Sequence, residues 1–464
     1  MGFAGDELDI EAGTRIHFVG IGGVSMSALA EMMHSRGYPV TGSDRQSSEL
    51  TDRLGKMGMD IRIGHSAETV EDVDMVVYTS AAASNNPEVL RAGERAIPLM
   101  KRSEFLGKLT AGKQMVGIAG THGKTTTTAM VGAVLDAANL DPTVLVGGLV
   151  TGDERNLRLG SQTIWAVEAD EFDRSFLTLH PDVAVVTNLE ADHLDCYGGL
   201  QEIEQAFQQY LDQTHRAAVM CVDSPLVNTL RVKPDLKRID YGLGDNCQLS
   251  ADHIEAKGFS SRIRVTFEGD VLGEILLQIP GLHNVNNALA AVGTGIAMDL
   301  EWEAIRSGLE SFRGVRRRFE ILGQAKGITL VSDYAHHPTE ISAVLNTARK
   351  GWDGRLVAIF QPHLYSRTRD FAEAFGSALS IADSVWVTDI YAARERAIPG
   401  VDGRLLEDWT RKTGHDDVHF VADADDLMKK VLNDLETDDL VVVMGAGDID
   451  QVAHGLFSSL SESR

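Results

Sequence analysis

The sequence predicts an α/β protein made of three strand-and-helix units in series, each built on a parallel sheet. Three observations carry that prediction. Apolar strands at residues 15–19 and 114–119 each run into a Gly-rich turn and then a helix. A third start lies at 329–332, with loop 333–338 and a helix to Lys350. The strands and helices alternate, as in βαβ units with right-handed crossovers.

In the first unit, strand 15–19 leads through turn 20–23 into a helix over 26–37, read from its 3.6-residue periodicity. A second strand begins at Val40, and a third lies at 74–79. The second unit has strand 114–119, loop 120–124, helix 125–139 and strands at 163–167, 183–187 and 217–222. Residues 247–280 change texture. Polar and apolar residues alternate through 262–267, which predicts a small antiparallel region before a helix over 283–297. The third unit adds strands at 355–360, 384–388 and 440–444. Unit boundaries fall near 108 and 314.

Composition excludes several classes. The chain has 464 residues and a net charge of −25. So acidic a surface has no general attraction for nucleic acid or anionic membrane, so neither is expected as a partner. Any phosphate must be held locally. Cys196, Cys221 and Cys247 have no paired spacing, which argues against a disulfide framework or a zinc site. Residues 1–13 lack the basic and apolar regions of a signal peptide, and no apolar run reaches the roughly 18 residues of a membrane span. A cytoplasmic location is expected. Monomer and homodimer both stay open.

The strongest local motif is Gly120-Thr121-His122-Gly123-Lys124-Thr125, followed by Thr126. Glycines let backbone N–H groups close on phosphate oxygens at a helix N-terminus. Lys124 suits the β- and γ-phosphates, and Thr125 suits Mg²⁺. The loop is shorter than the common G-x-x-x-x-G-K-[ST] form, because Ile118 stands where its first Gly would be. Glu168-Ala169-Asp170-Glu171 follows an apolar strand. Alone it reads as a solvated loop; after a phosphate loop Glu168 becomes a metal candidate. Asn188 and His193 follow the next strand, as candidates for substrate and metal. A lone histidine is more often structural.

His283, Asn284 and Asn287 stand at a helix start, where amides either cap the helix or read a nucleotide base. Arg316, Arg317 and Arg318 precede Asp333, Tyr334, His336 and His337, then His363, Arg367 and Arg369. Guanidinium groups bind phosphate and carboxylate bidentately, though a basic surface stripe is the plainer reading of the first cluster. Near the start, Gly20, Gly22 and Gly23 resemble a dinucleotide turn, with Ser25 in place of its last Gly and Asp44 placed to meet a ribose.

Together these motifs resemble the Mur ligases over nearly the whole chain, and among them the alanine-adding branch. The resemblance implies a Rossmann-like UDP-binding domain (1–108), a P-loop ATPase-like ATP-binding domain (109–314) and a Rossmann-like amino-acid-binding domain (315–464). It implies ATP-dependent joining of L-alanine to UDP-N-acetylmuramate through an acyl phosphate, with Mg²⁺. By position it puts Gly22, Gly23, Ser43, Asp44, His65, Ser80 and Asn188 on the UDP-substrate side. Residues Gly120 to Thr126, with His283, Asn284, Asn287, Arg318 and Asp333, match the ATP positions. Thr125, Glu168 and His193 match the metal positions, and Lys124, Glu168, His193, Arg318 and Asp333 the catalytic set. Tyr334, His336, His363 and Arg367 match the amino-acid side.

This chain departs from many of that branch at Ser25, where they have Gly, and at Leu364, where they have Arg. No lysine lies between His193 and Lys233, so the carbamylated lysine of sister ligases has no counterpart. Ala191 differs from the Phe usual in the ligase that recycles tripeptide, which is the alternative reading. A nicotinamide oxidoreductase would leave the loop at 120–125 unexplained. A nucleotide-switched binding protein would turn ATP over slowly, whatever the acceptor.

Overall fold

A computed structural model describes residues 10–82, 85–152, 155–190, 196–244, 246–393 and 395–462. The chain packs as two units. One holds residues 1–252, 264–273 and 286–311; the other holds 253–263, 274–285 and 312–464.

The first unit opens with β1 (Ile16–Val19), α1 (Val24–Ser35), β2 (Val40–Asp44), α2 (Glu49–Lys56), β3 (Asp60–Ile63), β4 (Met75–Tyr78), α3 (Pro87–Glu94), β5 (Leu99–Lys101) and α4 (Arg102–Thr110). The strands form a parallel sheet in the order β3-β2-β1-β4-β5. The strand expected at 74–79 is therefore the fourth. β3 escapes periodicity because three of its four residues are exposed. Strand order reverses between β1 and β4. A crevice opens there beyond the carboxyl ends, where ligands of such sheets bind.

The chain continues with β6 (Gln114–Ala119), α5 (Lys124–Ala137), β7 (Thr143–Val150), β8 (Arg155–Arg158), β9 (Ile164–Glu168), β10 (Val183–Val186), α6 (Leu200–Asp212), β11 (Ala217–Cys221) and β12 (Lys237–Gly242). Then come β13 (Leu249–Lys257), β14 (Ser260–Phe267), β15 (Asp270–Leu277), α7 (Leu282–Ala297) and α8 (Trp302–Ser311). The second sheet runs β15-β14-β13-β12-β11-β10-β6-β9-β7-β8. Two-residue links join β13 to β14 and β14 to β15, a spacing that only antiparallel neighbours span. β10 and β11 are buried at every position, so they read as unbroken apolar runs. The switch point lies at β6, which pairs β9 on one side and β10 on the other.

One apolar core runs from Ile16 through Phe105 to Trp165 and Phe207. Asn156 donates to Val24 O and to Ser27 Oγ in α1, and accepts from Arg53 at 3.1 Å.

The second unit carries β16 (Glu320–Ala325), β17 (Ile328–Asp333), α9 (Pro338–Gly351), β18 (Leu356–Phe360), α10 (Tyr365–Asp370), α11 (Ala372–Leu379), β19 (Ser384–Val387), α12 (Arg404–Lys412), β20 (Val418–Phe420), α13 (Ala424–Asp434), β21 (Leu440–Met444) and α14 (Asp450–Glu462). Its sheet order is β16-β17-β21-β18-β19-β20, parallel except for edge strand β16. Three α/β sheets thus follow in chain order, as expected.

Candidate active site

The loop between β6 and α5 is shaped by two glycines. Gly120 has φ +138° and Gly123 φ +81°, a region that favours glycine. A Cβ on Gly120 would strike the Thr187 hydroxyl, and one on Gly123 would lie 2.5 Å from Asn287 Oδ1. Backbone thus lines the loop where side chains would block a phosphate. Asn188 braces it: Oδ1 accepts His122 N at 2.8 Å, and Nδ2 donates to His122 O at 3.3 Å. Thr121 accepts Glu190 N at 2.9 Å. Asn188, expected on the substrate side, spends its amide on the loop here.

Of the four threonines that open α5, Thr125, Thr127 and Thr128 are hydrogen-bonded. Thr127 donates to Asn287 at 3.2 Å, and Thr128 donates to Lys124 O at 2.8 Å. Thr126 is buried. Thr125 Oγ1 donates to Glu168 Oε1 at 3.1 Å, and Gly147 N donates to Glu168 Oε2 at 2.7 Å. Burial raises the Glu168 carboxyl; Lys124 pulls it back and Asp170 adds to the rise. A hydroxyl in the first turn of α5 and a carboxylate at the end of β9 form a hard-oxygen donor set that suits Mg²⁺. His193 lies outside the described residues.

Lys124 donates to Gly120 O at 2.6 Å and Thr121 O at 3.2 Å, and pairs with Glu171 at 2.7 Å. Burial would lower its pKa, but Glu171, Asp170 and Glu168 push it up to about 12. The Glu171 carbonyl accepts the Tyr197 hydroxyl at 2.6 Å. Sequence reasoning quoted Glu171 without giving it a role; its partner is 47 positions away. Ser25 and Arg102 line a small cavity with Gly147 and Glu168. Arg102, unnoticed in sequence, donates to buried Ser175 at 3.3 Å.

At the first switch point, Gly22 N donates to Asp44 Oδ2 at 2.8 Å, while the N–H groups of Gly20 and Ile21 bond Ser43 O. Gly23 ends the turn as the N-cap of α1. His65 follows β3 and contacts Ser43 Oγ at 3.0 Å through Nδ1. Ser80 follows β4 and lines a cleft of about 380 Å³ with Tyr78, Lys101, Phe172, Asp173 and Cys196.

In the second unit, Asp333 ends β17, buried. It accepts Phe319 N at 2.6 Å and Ala335 N at 2.7 Å. Burial raises its carboxyl to about 6 against the pull of Arg318 and both N–H groups. Arg318 lies 3.7 Å from Glu340 and over the Tyr334 ring, as does Arg317. His283 is held down to about 4 by burial and then by Arg318. Asn284 donates to Pro280 O at 2.7 Å. His336 contacts Tyr334 O at 2.9 Å and packs edge-on to His363, which stacks on Tyr391. Burial lowers His336 to about 4, Arg367 contributing, so its ring is neutral near pH 7. Arg367 itself is buried in α10. Leu364 caps that helix at φ +71°, unusual for a Leu. The expected Tyr334, His336, His363 and Arg367 therefore gather beyond β17 and β18.

Residues 15–114 match the Mur ligase family catalytic domain, 118–295 the Mur ligase middle domain, and 317–447 the Mur ligase glutamate ligase domain. The UDP-N-acetylmuramate–L-alanine ligase of Geotalea daltonii is 43% identical over 453 residues, covering 97% of this chain and 98% of that protein. The same-named ligase of Salinibacter ruber is 45% identical over 439 residues, covering 94% and 92%. The crystal structure of UDP-N-acetylmuramate–alanine ligase from Thermotoga maritima superposes with a TM-score of 0.84 at 31% identity, covering 97% of this chain and all of that one.

Proposed function

The chain belongs to the Mur ligase family, and from that premise we propose that this ATP-dependent ligase joins L-alanine to the lactyl carboxylate of UDP-N-acetylmuramate. The product would be the first amide of the peptidoglycan peptide. One observation carries the reading: Lys124 and the Thr125–Glu168 pair meet at the β6 switch point, in a chain whose near-full-length relatives bear that activity's name.

A carboxylate is a poor electrophile. Its oxygen attacks the γ-phosphorus of ATP, ADP leaves, and an acyl phosphate forms. The alanine amine then attacks the carbonyl carbon, and inorganic phosphate departs with the bonding pair. Two anions must approach each other in the first step. Lys124 screens them from the loop, with the N–H groups of 120–126 around the phosphates. Thr125 and Glu168, with His193, would hold Mg²⁺, which supplies charge neutralisation when bound. His283, Asn284, Asn287, Arg318 and Asp333 are assigned to ATP. Gly22, Gly23, Ser43, Asp44, His65 and Ser80 are assigned to the UDP-sugar. Tyr334, His336, His363 and Arg367 are assigned to L-alanine. We assign domains to 1–108, 109–314 and 315–464, and the activity to the cytoplasm, where ATP and UDP-sugars are supplied.

The test is phosphate release from ATP and Mg²⁺ with UDP-N-acetylmuramate and L-alanine, glycine, L-serine or tripeptide in turn. L-Alanine should give the highest kcat/KM. Preference for the tripeptide would transfer the chain to the recycling activity, and release unaffected by any acceptor would remove the ligase reading.

A further inference from the structure

Buried carboxylates are ordinarily matched by a guanidinium or ammonium group. Glu88, in the first turn of α3, has no exposed surface. Among the described residues its side chain meets no Lys or Arg. Its Oε2 accepts the Ser43 hydroxyl at 2.6 Å and His65 Nδ1 at 2.8 Å. Its Oε1 accepts the Thr69 hydroxyl at 2.6 Å and has His17 Nε2 at 3.6 Å, a polar contact beyond hydrogen-bond range. Burial pushes the Glu88 carboxyl up, but His17, Ser43 and Thr69 more than offset it and hold it at about 2. Near neutral pH it only accepts.

Ser43 gives its one proton to Glu88, so at the 3.0 Å contact with His65 its hydroxyl is the acceptor. Both neighbours of His65 Nδ1 are therefore acceptors, and Nδ1 carries a proton. Nε2 makes no hydrogen bond among the described residues, and the side chain keeps 19% of its surface exposed. Ser43 also holds the Gly turn, through Gly20 N and Ile21 N on its carbonyl. Buried Glu88 and Ser43 thus bracket the partly exposed His65 beneath the turn assigned to the UDP-sugar.

We propose that Glu88 is a positioning residue that fixes the orientation and tautomer of His65, so that Nε2 is presented to the uridine diphosphate group of the substrate. This rests on reading the first sheet as the UDP-sugar site. Without the carboxylate, the ring is free to flip or change tautomer, and one charge-assisted bond is lost.

Glu88→Gln in the full chain should weaken UDP binding by about tenfold or more, by calorimetry. It should raise the KM for UDP-N-acetylmuramate by a similar factor and leave kcat within about twofold. In a His65→Ala background the same change should add nothing, because Glu88 acts through His65. Ring ¹⁵N shifts of His65 should also lose the Nδ1–H signature. Glu88→Asp keeps the charge and shortens its reach; it carries the same expectation if the Gln variant does not fold. UDP binding equal to wild type, or a full effect of Glu88→Gln without His65, overturns the proposal and leaves Glu88 a structural brace that ties α3 to Ser43 and Thr69. A wild-type chain that takes no UDP overturns the first-sheet reading itself, a separate and visible result.

Discussion

Lys124 Nζ lies 2.7 Å from a carboxylate oxygen of buried Glu171. Its other donors go to Gly120 O and Thr121 O, so the ammonium is folded onto its own loop. With its pKa near 12, Lys124 stays charged wherever the enzyme would work.

Lys124→Ala should therefore cut turnover by several orders of magnitude. It also takes the ammonium away from buried Glu171, and removing one half of such a pair costs about 3–5 kcal/mol. The double change Lys124→Ala with Glu171→Gln separates the two effects. It should recover much of the thermal stability and none of the turnover. Near-normal turnover in either folded variant would remove Lys124 from phosphoryl transfer.

Glu168 tests the metal assignment. Metal binding needs the carboxylate, and burial makes that form harder to keep as pH falls. Activity should need more Mg²⁺ at the lower of two assay pH values, because protons compete at Glu168 as pH falls. In Glu168→Gln the Mg²⁺ requirement should rise and its pH dependence shrink. Mg²⁺ titrations superimposable on wild type at both pH values would exclude Glu168 as a ligand.

Periodicity and turn chemistry made the central strands legible: β6 was placed residue for residue, and β21 likewise. Buried parallel strands are unbroken apolar runs, and each Gly turn marks where one ends. Edge strands were not legible. β3 is mostly exposed, and β16 is irregular between Ile321 and Gly323. Within the site, residues in contiguous motifs were found, Lys124 and Asp333 among them. Partners brought together only by strand order were not: Glu171 with Lys124, or Glu88 with His65. No local pattern encodes a contact between separate strand ends.

The first sheet should bind UDP rather than NAD. Asn156 reaches into α1, so residues 1–108 alone would expose a face that is covered in the full chain. The full chain is therefore the sample. Titration should show UDP binding and none of NAD. Asp44→Ala should weaken UDP, because Asp44 shapes the turn through Gly22 N. Tight NAD binding would return the oxidoreductase reading.

Asp333 gives a pH signature. Its folded pKa of about 6 stands above the roughly 3.9 of an unfolded Asp. Between those values the folded chain holds a proton that the unfolded chain has released. Its contribution is present below about pH 4 and lost as pH rises through about 6, on the order of 2–3 kcal/mol. Asp333→Asn removes that titration. Relative to the variant, wild type should lose stability from pH 4.5 to 6.5 in urea unfolding. Parallel profiles would show that Asp333 does not titrate in this window.

The last prediction concerns amino-acid choice. L-Alanine offers a carboxylate, an amine and a methyl group, and its carboxylate needs a cation. Arg367 is buried in α10, and its charge helps hold the His336 imidazole neutral, so the two lie within electrostatic reach. His336 and His363 pack edge-on with ring centroids 5.8 Å apart. Leu364, where many alanine-adding ligases carry Arg, is buried and cannot supply the charge. A charge-assisted Arg–carboxylate contact is worth roughly 1.5–3 kcal/mol, so its loss weakens binding by about 10- to 150-fold. Arg367→Ala should raise the KM for L-alanine by that factor. The KM values for ATP and UDP-N-acetylmuramate should change little, because the phosphate loop and the Gly turn belong to the first unit. Arg367→Lys keeps the charge without the fork, and should fall between. Removing a buried guanidinium also costs packing, so melting temperatures are measured beside the kinetics. If Arg367→Ala is folded, keeps its alanine KM and loses ATP binding, Arg367 is a phosphate ligand. The alanine carboxylate would then belong to Arg369, because the His336 ring is neutral.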